Sequence, residues 1–174
     1  MTQSIQLTES NHSSLPPDYT RQVGRVSASV DIIRSEKIRQ LAAELQRQIV
    51  ELNARATDNG LVVTLGDVLF ESAKSELKRG ATSNLVKLAD FINKYEHCTV
   101  VIEGYTDNQG SEAFNFGLSM RRANAIKKYL LGQDVKSNRL AACGNGEGSP
   151  IASNASASGR QLNRRVEVII TNIT

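Results

Sequence analysis

Asp107 and Arg122 are the residues whose types and spacing point most directly to chemistry. The chain reads as a Val- and Ile-rich strand over Thr99–Glu103, a polar turn holding Gly104, Asp107, Asn108 and Gly110, and then a helix. A carboxylate just past a strand end, with an arginine fifteen positions later on the next helix, brings a fixed negative and a fixed positive charge together. Such a pair suits a small zwitterionic ligand. Arginine suits it better than lysine, because its planar fork grips a carboxylate with two bonds.

Each member has a duller reading. Asp107 could cap the helix, but Ser111 competes for that role and Glu112 adds favourable charge to the first turn. Asp107 is then spare, in a strand-end loop where binding groups concentrate. Asn115, Ser119 and Arg122 fall at i, i+4 and i+7, on one helical face. Arg122 adjoins Ala123 of the apolar stripe, so its stem is half buried, while Arg121 points about 100° away and reads as a solvated charge. The structural alternative for Arg122 is a salt bridge to Asp107, which a ligand carrying both charges can open. In Asn163-Arg164-Arg165, strand alternation puts one arginine toward the same site and the other toward solvent or the helix layer. Catalysis finds little support. No Ser-His-Asp or Cys-His set assembles around His97, and Glu103 with Asp107, four positions apart across a strand end, need not face each other as glycosidase carboxylates. The segment Gly144-Asn145-Gly146-Glu147-Gly148 leads to Pro150 rather than a helix, so it is turn chemistry and not a phosphate loop.

The surrounding elements follow from periodicity. Residues 1–28 are polar, contain Pro16-Pro17 and read as a flexible tail. Residues 29–58 hold an amphipathic helix, its pattern running from about Val30 to Ala56 with Ile38, Leu41, Leu45, Ile49 and Leu52 at spacings of three or four. This narrow seam fits a spacer, a coiled coil with a second copy, an envelope protein's helix, or docking on its own domain. Asp58-Asn59-Gly60 supplies the turn that ends it. Residues 59–174 then give a strand at Leu61–Leu65, a helix from Arg79 to Tyr95, the Thr99–Glu103 strand, a helix from Ser111 to Leu131, a strand at Arg139–Cys143, a loop over Gly144–Gly159 and a last strand at Val166–Thr171. The expected fold is an α/β (α+β) two-layer sandwich. A β-α-β-α-β-β mixed four-stranded sheet carries its helices on one face, preceded by the long N-terminal helix.

Bulk properties exclude several classes. Lys and Arg number 21 against 18 Asp and Glu, a net charge of +3, too small and too scattered for a nucleic-acid surface. Cys98 and Cys143 have no metal-ligand spacing and only His12 and His97 could join them, so no metal or cofactor is expected. A disulfide and two free thiols are both open. No apolar run reaches about eighteen residues. The start lacks the basic-then-apolar pattern of a signal peptide, which places any signal or anchor outside this sequence.

Gly104-Tyr105-Thr106-Asp107, Gly110, Asn115, Leu118-Ser119, Arg122-Ala123, Gly144 with Gly146-Glu147, Pro150 and Asn163-Arg164-Arg165-Val166-Glu167 together resemble the OmpA-like peptidoglycan-binding domain, from about Leu61 to Thr171. That family is shared by outer-membrane porin tails, peptidoglycan-associated lipoproteins and flagellar stator proteins. The resemblance implies non-covalent binding of the diaminopimelate in the peptide stem of peptidoglycan. It puts Asp107 on the ammonium and Arg122 on the carboxylate. It has Thr106, Asn115, Leu118 and Arg164 lining the same groove, with Phe70 near its rim. Tyr105 departs from the family's usual histidine, which implies a changed rim rather than a lost site. By resemblance the domain anchors the outer membrane to the wall from the periplasmic side. The alternatives are a periplasmic anchor of an inner-membrane motor or transport complex and, less in keeping with the residues, a muramyl-bond hydrolase.

Overall fold

A computed structural model describes residues 17–70, 74–78, 80 and 82–173. The chain divides into two units, residues 1–45 and 46–174. A long helix, α1 (Pro17–Glu51), holds the described residues of the first unit and the start of the second. Residues 17–28, read from sequence as tail, are therefore helical, with Pro17 at the first helical position where its missing N–H is not needed. The rest of the tail lies outside the described residues. Within the first unit Val30, Ile32, Ile33, Ile38 and Leu41 stand exposed.

The helix does not end at Asp58-Asn59-Gly60. It stops at Glu51, and Asn53 follows in the left-handed region at φ 49°, which asparagine tolerates. The Asp58-Asn59 pair instead turns a hairpin between β1 (Ala54–Thr57) and β2 (Gly60–Gly66). The sheet thus has five strands rather than four. Its order is β1-β2-β5-β3-β4, with β3 at Thr99–Gly104, β4 at Leu140–Gly144 and β5 at Arg165–Thr171. β5 runs antiparallel to both β2 and β3, while β3 and β4 are parallel and joined through a helical crossover.

The crossover helices are α2 (Ser83–Lys94) and α3 (Glu112–Leu131). Ser111 caps α3 by accepting a hydrogen bond from Phe114 N–H at 3.3 Å. The core is built from alternate strand residues, Val100 and Ile102 with Val166, Val168 and Ile170, and from Leu85, Leu88, Ile92, Ala123, Ile126 and Leu130 on the helices, all at 1% exposure or less. Burial of this size is the main favourable contribution to folding. Two glycines let strand ends lie against α3. A Cβ on Gly104 would stand 2.1 Å from the Ser119 carbonyl oxygen, and one on Gly144 would stand 2.5 Å from Met120 N.

The Gly144–Gly159 segment is only partly loop. Ser156 caps a short helix, α4 (Ala157–Asn163), accepting from Gly159 N–H at 3.0 Å. Asn163, fully buried, accepts from Ile151 and Ala152 N–H and donates to Ala152 O and Asn154 Oδ1. A polar stretch with weak periodicity is thereby tied down by one side chain. Both cysteines are free. Cys98 is buried beside Arg139, which closes the end of α2 by donating to the Ile92, Tyr95 and Cys98 carbonyls.

Candidate ligand-binding site

β5 enters the sheet between β2 and β3, and that insertion builds the site. Its register pairs Arg165 with Gly66 and Val166 with Gly104. Arg164, one residue earlier, therefore stands beyond the ends of both neighbours, level with the turn after β2 and the loop after β3. It donates from Nε to Asp67 Oδ2 and from Nη1 to Asp107 Oδ2, the latter at 2.8 Å. Burial alone would lower the Arg164 pKa, but the hydrogen bonds to Asp67 and Asp107 outweigh it and hold the guanidinium above its ordinary value.

Asp107 is 6% exposed and also accepts from Gln109 N–H at 3.0 Å. Its loop is held by Thr106 N–H donating to Gly146 O and by Asn115. Asn115 Nδ2 donates to the Asp107 carbonyl at 3.2 Å and to Glu147 Oε2 at 2.8 Å, linking the loops after β3 and β4. Ser119, on the same face of α3, accepts from Gly146 N–H.

Arg122 is 3% exposed, yet the salt bridge to Asp107 weighed from sequence does not form; Asp107 takes Arg164 instead. Arg122 Nε donates to Lys74 O at 3.1 Å and its guanidinium carbon lies 5.1 Å from the centre of the Phe70 ring. Among the described residues its Nη1 has no hydrogen-bond partner and no acid pairs with it. Burial lowers its pKa from the ordinary arginine value, opposed by the charge of Asp67. A desolvated guanidinium with an idle donor is costly to the empty protein and favourable to any anion that reaches it.

These side chains line a cavity of about 790 Å³, in the range of small-molecule sites. Its walls include Phe70, Thr106, Asp107, Asn115, Leu118, Arg122 and Arg164, all seven residues singled out from sequence. Asp67, Lys78, Gln109, Phe114 and Gln161 also line it and had no role in the sequence reading. Asp67 directly follows the end of β2, as Asp107 lies three residues past the end of β3, and a carboxylate just past a strand end was the available signal. Thr106 Oγ1 is buried without a hydrogen-bond partner among the described residues.

Arg165 corrects the expectation of solvent or helix layer. It lies on the sheet face opposite α3, 4% exposed, its guanidinium carbon 3.9 Å from the centre of the Tyr105 ring and its Nε bonded to Glu167 Oε1 at 2.8 Å. Glu103 is there too, accepting from Tyr105 Oη–H at 2.6 Å, so it does not join Asp107 as a carboxylate pair. Burial, aided by the Glu103 bond, pushes the Tyr105 pKa from 10.0 up to about 12. A folded-state pKa raised this way contributes stability that is present below pH 10.0 and lost as pH rises toward about 12. Tyr105→Phe should remove that share of the alkaline loss and abolish the highest step of the near-ultraviolet tyrosinate titration. An unchanged titration would remove the raised value from Tyr105.

Comparison with known proteins places the chain in a family and agrees with its fold. The model of the OmpA family matches residues 69–164, more than half of the chain. Outer membrane porin F of Pseudomonas aeruginosa is 43% identical over 102 residues, covering 58% of this chain and 29% of that protein. The peptidoglycan-binding protein ArfA of Mycobacterium tuberculosis is 39% identical over 108 residues, covering 62% and 33%. The chain therefore spans about a third of the length of these relatives. Among solved structures, the cell wall anchor of the T6SS from Pseudomonas aeruginosa superposes with a TM-score of 0.65 at 29% identity, over 72% of this chain and 94% of that one.

Proposed function

The chain belongs to the OmpA family, and we propose that it binds peptidoglycan non-covalently through the diaminopimelate of the peptide stem. The observation that carries this reading is the buried, unpaired Nη1 of Arg122 in the same cavity as Asp107. A side-chain zwitterion offers a carboxylate to Arg122 and an ammonium to Asp107, whose oxygens keep lone pairs beyond those used by Arg164 and Gln109. Phe70 and Leu118 supply apolar wall for the ligand's methylene chain. The relative named as peptidoglycan-binding supports the ligand class.

The role that follows is anchorage of an envelope structure to the wall, with no bond made or broken. The porin relative favours an outer-membrane tether, and the T6SS cell wall anchor favours the alternative of a wall anchor for an inner-membrane complex. Co-sedimentation of the chain with purified cell-wall sacculi tests the binding. The chain should pellet with sacculi and leave their turbidity unchanged. Recovery in the supernatant would overturn the reading, and clearing of the suspension would favour the hydrolase alternative.

A further inference from the structure

Among the described residues the cavity's charges do not balance, for they put two acids, Asp67 and Asp107, and three bases, Lys78, Arg122 and Arg164, in its walls. Arg164 engages both acids at once. Arg122 and Lys78 are left without an acid partner among the described residues. A single side-chain zwitterion brings one carboxylate for Arg122 and one ammonium for the acids, which leaves Lys78 uncompensated.

Lys78 is held at the cavity by the backbone. Its N–H donates to Leu69 O at 2.9 Å, and its neighbour Leu77 forms an isolated bridge with Phe70, whose ring lies against Arg122. Lys78 thus reaches the same cavity from the segment paired with the Phe70 wall. It is half-buried and lines the cavity, so it brings a lysine side chain, partly open to solvent, to the same wall. A volume of about 790 Å³ also leaves room for more than the zwitterionic end of one amino acid.

We propose that Lys78 receives a second carboxylate of the same ligand, so that the cavity recognises a stem end carrying two free carboxylates and one free ammonium. This rests on the reading of the cavity as a stem-peptide site and deepens it. The ligand class becomes a stem terminus whose terminal carboxylate is neither amidated nor extended by a further residue.

The test is titration of the full chain with a synthetic stem tripeptide, L-alanyl-γ-D-glutamyl-meso-diaminopimelate. One form has the terminal carboxylate free and one has it amidated, and the side-chain amine and carboxylate are untouched in both. Amidation should weaken binding to the parent about five- to tenfold, the range for a charge-assisted bond at a partly screened site. In Lys78→Gln, which removes the charge from a half-buried side chain, the two forms should bind within about twofold of each other. Equal binding of the two forms to the parent overturns the proposal and leaves the stem-peptide reading standing. So does a full amidation penalty in Lys78→Gln. Failure of the free tripeptide to bind the parent at all overturns both.

Discussion

Replacing Arg122 by leucine should weaken peptidoglycan binding about a hundredfold and leave a fold that unfolds no earlier than the parent on heating. The two halves of this expectation come from the same geometry. A bidentate, charge-assisted contact to a carboxylate in a desolvated site is worth up to about 3 kcal/mol, which is somewhat over a hundredfold in affinity. In the empty protein that guanidinium is 3% exposed, makes one hydrogen bond to Lys74 O, rests on Phe70 and leaves Nη1 idle. Leucine forfeits the bond and the ring contact but relieves a buried charge that has no acid partner among the described residues, and these effects oppose each other. Affinity for sacculi and the midpoint of thermal unfolding, measured on the same preparations, check both halves. A large loss of stability would show that Arg122 is a structural residue whose effect on binding is indirect.

Asp107→Asn should cost about thirtyfold in affinity, with the fold retained. Asparagine keeps the size of the side chain and an oxygen for Gln109 N–H, so the loop after β3 stays closed. What disappears is the negative charge facing the ligand's ammonium, a charge-assisted bond of about 2 kcal/mol. The expected loss is smaller than for Arg122 because Asp67, on the other arm of Arg164, still supplies a negative charge to the cavity. Arg164 keeps one of its two acids, which limits any loss of stability. Binding by Asp107→Asn equal to that of the parent would remove Asp107 from the ligand contacts.

Much of this site was legible from local spacing. Asn115, Ser119 and Arg122 share a face because 3.6 residues make a helical turn, and the structure buries all three. Ser111 could be assigned the cap of α3, which freed Asp107, because capping depends only on the residues of the first turn. The Asp107–Arg164 pair was not legible in the same way. It exists because β5 inserts between β2 and β3, and strand order is decided by long-range pairing that periodicity does not encode. The role of Asp67 depends in the same way on the ends of β2 and β5 lying side by side. The missed strand β1 is four residues, Ala-Arg-Ala-Thr, with no sustained alternation, so its pairing with β2 rather than its own propensity makes it a strand. The short helix α4 sat in a Ser-, Asn- and Gly-rich stretch whose order depends on Asn163, and a buried hydrogen-bond hub leaves no pattern in its neighbours.

The choice of ligand turns on whether Arg122 reads the side-chain carboxylate of diaminopimelate. A stem tripeptide with lysine in that position keeps the ammonium and lacks the carboxylate, so the two peptides isolate the contact. The decisive measurement is calorimetric titration of the parent and of Arg122→Leu with both peptides. The expected result is a preference of about thirty- to a hundredfold for the diaminopimelate peptide in the parent, collapsing to within about twofold in Arg122→Leu. Equal affinity of the parent for the two peptides would contradict recognition of diaminopimelate at this cavity.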